Sequence, residues 1–121
     1  MLQFVACFNR GEFWESHEVL EPAWQRTRSP FYHGLILYAS AWVHARRRNP
    51  HGVVAQISKA TPLLEQYRPV YLGIDVERLL ADGRRLLTQG QLGELQAEWQ
   101  PSLATPAGLI TGTEPELADS G

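Results

Sequence analysis

Cysteine is almost missing from this 121-residue chain: Cys7 stands alone. One thiol excludes an intrachain disulfide and any zinc site built from several cysteines. Set among Phe4, Val5, Ala6 and Phe8, it reads as buried and inert. An excess of either charge is lacking too. Eleven Lys and Arg stand against 13 Asp and Glu, a formal net charge of −2, so no broad nucleic-acid footprint and no nucleic-acid partner are expected. The longest apolar segment, Phe31 to Ala45, is shorter than the roughly 20 residues of a membrane span and carries His33 and His44. No basic stretch followed by a long apolar run opens the sequence, so neither a leader nor a membrane partner is expected, and the expected location is the cytoplasm. Strand-type alternation persists nowhere. Neither a P-loop nor a GxGxxG pattern occurs, which leaves phosphate cradling unsupported.

What is present is apolar and aromatic. Hydrophobic residues make up 44% of the chain, with four each of Trp, Tyr and Phe, enough for one domain with a packed core. Helical periodicity dominates. It predicts a short helix over Leu2 to Phe8, a turn at Asn9-Arg10-Gly11, and a second helix from Gly11 or Glu12 to about Arg26 with a kink at Pro22. Ser29-Pro30 is a cap followed by a proline at the first helical position, opening a helix to Arg48. That helix is apolar nearly all round, which predicts a central place. Its Gly34, Ala41 and Ala45 form a narrow stripe on which a neighbour can pack closely. The basic run Arg46-Arg47-Arg48 falls at its end, where cations favour the dipole. A fourth helix is expected from Pro50 to Tyr67, then an irregular connection over Arg68 to Gly73. A fifth helix, capped by Asp75, is expected to stop near Leu87 ahead of Gln89-Gly90, with a short amphipathic piece over Leu92 to Trp99. The fold class expected is all-α: a single-domain antiparallel bundle of about five helices over residues 1–100, with 101–121 a peripheral tail.

Chemistry concentrates in residues 9–24, NRGEFWESHEVLEPAW. His17 and Glu21 are one turn apart on one helical face. Phe13, Leu20 and Trp24 fall within roughly 40° of that direction at about 100° per residue, so the pair is expected to point toward the helix's apolar side. Imidazole and carboxylate at this spacing supply two ligands for a divalent transition metal such as zinc, which commonly takes three or four. His44 is the expected third ligand. His33 and His44 lie roughly 16 Å apart along one axis, too far to share an ion. Phe13, Trp14, Glu18 and Trp24 are the expected pocket residues. The same pair suits an oriented general base, making His17 and Glu21 the catalytic candidates. A nucleophile is harder to find: Ser16 points about 100° away from His17, and Ser40 has no glycine-flanked turn. HEVLE also departs from HExxH, with Glu21 where that motif has its second histidine. The alternative is a helical interaction module, self-associating into a homo-oligomer, in which Glu21 satisfies a buried His17. No small-molecule ligand is identified by the residues.

Three segments, FNRGEFWESHEVLEPAW, GLILYASAWVHARRRNPHG and YRPVYLGIDVERLL, resemble in content and order the bacterial and archaeal family DUF309, a domain of unknown function. The family is noted for a histidine, a carboxylate four residues on and a tryptophan three beyond, positions held here by His17, Glu21 and Trp24. The resemblance implies a small all-helical domain and a suggested metal-binding role for the motif, but no reaction. It also implies a polar residue, often glutamine, where Leu37 stands.

Overall fold

The computed structural model describes residues 1–95 and 101–103. Five helices and one two-stranded hairpin account for the regular structure among them: α1 (Leu2–Asn9), α2 (Phe13–Thr27), α3 (Pro30–Arg46), α4 (Pro50–Glu65), β1 (Val70–Tyr71), β2 (Ile74–Asp75) and α5 (Val76–Leu92). α3 packs between α2 and α4, α1 rests on α2, and α5 rests on α4. The all-α bundle with a central third helix is therefore the architecture observed. Ten of the 17 residues of α3 are buried, Phe31, Tyr38 and Trp42 among them. None of the described helices is long and apolar enough to cross a membrane.

Local chemistry sets most boundaries. Ser29 Oγ accepts from Tyr32 N at 3.3 Å, Asn49 Oδ1 from Gly52 N at 3.2 Å, and Asp75 Oδ1 from Arg78 N at 3.0 Å. Each satisfies an amide that the first helical turn leaves without a partner. α3 stops two residues earlier than expected. Arg48 adopts a left-handed φ of 56°, and Asn49 N and Arg48 N return to the carbonyls of His44 and Ala45 at 2.9 and 3.1 Å. This reciprocal C-terminal closure leaves Arg46 and Arg47 at the helix end. α1 closes the same way around Gly11 (φ 81°), with Gly11 N and Glu12 N bonding to Phe8 and Cys7 carbonyls, both at 2.9 Å. Glycine reaches that φ without a Cβ clash, and the turn aims the start of α2.

Two further expectations are corrected. The connection at Arg68 to Gly73 is not wholly irregular: Val70 pairs with Asp75 and Tyr71 with Ile74 in a minimal antiparallel hairpin. Its loop residues Leu72 and Gly73 both have positive φ, 52° and 81°, the backbone a two-residue hairpin turn needs. The fifth helix does not stop at Leu87. It runs through Gly90 to Leu92 because Gly90 is a contact point. A Cβ there would lie 3.0 Å from Val53 Cγ1 and 3.2 Å from Val54 Cγ2, so glycine brings α5 close to α4. Gly34, similarly, is covered by Leu64 of α4. Leu92 closes α5, and most of the short piece expected over Leu92 to Trp99 lies outside the described residues. The expected tail starts at a docked point: Asn9 Oδ1 accepts from Leu103 N at 2.7 Å, Asn9 Nδ2 donates to Leu103 O at 3.4 Å, and Leu103 is buried.

Candidate functional site

α2 carries the motif, and its first turn is fixed by Phe13, a buried ring. Phe13 meets Phe8 edge-on at 4.9 Å and Trp42 at 5.9 Å, with the Arg46 guanidinium 5.2 Å from its centroid. Just before the helix, Arg10 holds Glu12 at 2.9 Å, and that hydrogen bond keeps the Glu12 carboxyl below the usual carboxylate range. Ser16 is the fully buried polar residue of α2. Its hydroxyl donates to the Phe13 carbonyl at 2.7 Å, so its proton is already engaged in the helix.

His17 and Glu21 do come together, with Nε2 to Oε2 at 3.5 Å. They do so at the edge of the core rather than inside it: the His17 side chain is 23% exposed and that of Glu21 37%. The helical wheel gave the direction of the pair, but not how far α3 covers it. At 3.5 Å the contact is an ion-pair distance, longer than a well-formed hydrogen bond. The second Glu21 oxygen accepts from Gln25 Nε2 at 3.0 Å. On the imidazole, Nδ1 is the buried nitrogen and has no hydrogen-bond partner. The nitrogen facing Glu21 is Nε2. An oriented general base needs one nitrogen for its carboxylate and the other for its substrate. A sealed Nδ1 does not fit that division.

The aromatics divide between two places. Trp14, 50% exposed, stacks on His17 with centroids 5.1 Å apart and planes at 29°. Trp24 turns instead to α3, stacking on His33 at 4.5 Å, with the Arg28 guanidinium 4.8 Å from its ring centroid. The neighbours of Trp24 are therefore His33 and Arg28, while Trp14 covers the histidine. Glu18 is exposed. His44 sits at the far end of α3, with Nδ1 3.2 Å from Asn49 Nδ2 and its ring over Gly52, where an added Cβ would fall within 2.5 Å of it. Its place is the α3–α4 turn. Among the described residues no three His, Cys, Asp or Glu side chains converge to hold a metal ion, so His17, Glu21 and His44 do not assemble as a triad. Leu37, where the family resemblance implies a polar residue, packs against the core.

Sequence reasoning missed a cleft between the start of α2 and the end of α3. It has a volume of about 170 Å³ and is lined by Gly11, Phe13, Trp14, Glu15, Val43, Arg46 and Arg47. Two members of the basic run, read as helix-end charges, thus also border an aromatic hollow. The signal available was a tryptophan in a first helical turn, where burial is least expected. The facing arginines are visible only once α2 and α3 are packed.

Residues 1–56 match the family model DUF309, Domain of unknown function. The matched region spans α1 to the first turns of α4 and holds Trp14, His17, Glu21 and Trp24. It ends before Tyr67, so the resemblance of the third segment lies outside it. No curated protein and no solved structure matches the chain.

Proposed function

We propose that His17 and Glu21 form an open two-point site for a divalent transition metal ion such as zinc, with its remaining positions left to water or to a bound molecule. The observation that carries this reading is the 3.5 Å separation of Nε2 and Oε2 on successive turns of one helix. Nitrogen and oxygen ligands at their usual distances from a tetrahedral zinc ion stand about 3.4 Å from each other. One imidazole and one carboxylate are also donors of the right hardness. Trp14 limits water on one side of the imidazole, and the Gln25 amide holds the second Glu21 oxygen. When bound, the ion would supply Lewis acidity. The residues would orient it; none of them is assigned a proton-transfer step. A cytoplasmic location belongs to the same reading.

Calorimetric titration of zinc into the full chain, prepared without a histidine tag, tests the proposal. About one equivalent is expected to bind with a micromolar Kd, weaker than a closed four-ligand site. His17→Ala abolishes binding, and Glu21→Gln weakens it about tenfold or more, as loss of a charged ligand requires. No heat at millimolar zinc, or binding unchanged in both variants, contradicts it.

A second reading, a helical interaction module that self-associates, is favoured by the half-exposed Trp14. It predicts a concentration-dependent oligomer in sedimentation, reduced by Trp14→Ala and indifferent to zinc.

A further inference from the structure

We propose that the cleft at the α2–α3 junction binds a small monocarboxylate carrying a single ring or a branched apolar group of similar size. Volume limits the occupant first. About 170 Å³ matches a cavity that takes one benzene molecule (~150 Å³) and falls below the roughly 300–1,000 Å³ of drug-sized or nucleotide-sized pockets.

The lining then specifies the chemistry. Phe13 is a fixed apolar floor, held in the core by Phe8 and Trp42. Val43 is half-buried, and Trp14 stands half exposed with its plane supported by the His17 ring. A flat apolar group entering here meets surfaces already in position, which lowers the ordering cost of binding. The charges are Arg46, Arg47 and Glu15, two cations against one anion. Arg47, exposed at the rim of the cleft, offers a guanidinium fork, which matches carboxylate geometry. Glu15 opposes a dianion, which separates a carboxylate from a phosphate. Neither His17 nor Glu21 lines the cleft, so this proposal stands without a metal there.

Benzoate titrated into the full chain and followed by nitrogen-15 NMR tests it. The reporter is the Trp14 indole N–H, identified by its absence in Trp14→Phe. A saturable shift is expected with a Kd on the order of millimolar, the range for about nine heavy atoms in a small open site. Benzyl alcohol, of similar shape without the charge, and inorganic phosphate, charged without the ring, should each bind at least about fivefold more weakly. Arg47→Gln, an exposed change that should leave folding intact, weakens benzoate by a similar factor. Glu21→Gln weakens zinc binding yet keeps benzoate binding within about threefold, since Glu21 neither lines the cleft nor touches Trp14 by a ring contact. An absent or non-saturating Trp14 shift overturns the proposal. So does equal affinity for benzyl alcohol or phosphate, or an Arg47→Gln variant that binds benzoate as well as the parent.

Discussion

Replacing His17 with alanine separates a functional histidine from a structural one, and the geometry gives the expected size. The losses are the stack with Trp14, about 0.5–1.5 kcal/mol for an aromatic pair, and the partly exposed contact with Glu21, worth about 0–1 kcal/mol. Glu21 is not stranded: it is 37% exposed and keeps its 3.0 Å bond from Gln25. Against this stands the buried, unpartnered Nδ1, whose removal returns about 1–3 kcal/mol of desolvation cost. Alanine also improves helix propensity by up to about 0.7 kcal/mol. The terms nearly cancel. The expected change is within about 1 kcal/mol of zero, a Tm shift of at most about 5 °C for a domain of this size. Thermal and urea unfolding measure it. A loss above about 2 kcal/mol would mean that His17 holds the core together, and the reasoning would fail.

Gly90→Ala should lower the Tm despite a better helix former. Overpacking against Val53 and Val54 at 3.0 and 3.2 Å costs about 1–3 kcal/mol and exceeds the roughly 1 kcal/mol of propensity gained; a raised Tm would contradict this. Burial holds the Asp82 carboxyl above its usual range, against the pull of Arg78 and Arg85. Between the unfolded and folded pKa values the folded state binds more protons, so this contribution falls as pH rises. Asp82→Asn should therefore raise stability at pH 7, with the gain vanishing below about pH 3, where both states are protonated; denaturant melts at the two pH values check the sign. Asn9→Ala removes both bonds to Leu103, so exchange of the Leu103 amide should quicken about tenfold while the global melt moves by less than about 1 kcal/mol.

The fold was legible where the signals were local. Ser29-Pro30, Asn49-Pro50 and Asp75 each cap a helix through an amide three residues away, and such a contact can be read from neighbours in the chain. Gly90 could not be read this way. A glycine that admits a neighbouring helix looks in sequence like one that ends its own, and only the packing of α5 on α4 distinguishes them. The hairpin was hidden because its strands are two residues each and Leu72 occupies a backbone region unusual for leucine. At the site, the i, i+4 spacing correctly predicted that His17 and Glu21 meet. It did not predict their depth, which depends on how α3 covers α2. Trp24 and His44 took partners from other elements, His33 for one and Asn49 with Gly52 for the other. The cleft was out of reach of any reading of α2 or α3 alone, because its two walls come from both.

The most direct test of the central claim is the nitrogen-15 spectrum of the histidine rings as zinc is added to the full untagged chain. A two-point site at His17 and Glu21 predicts a shift of His17 Nε2 that saturates near one equivalent and is weakened by Glu21→Gln, while His33, His44 and His51 stay unmoved. Zinc shifting those three histidines first, or leaving His17 untouched, would contradict the account.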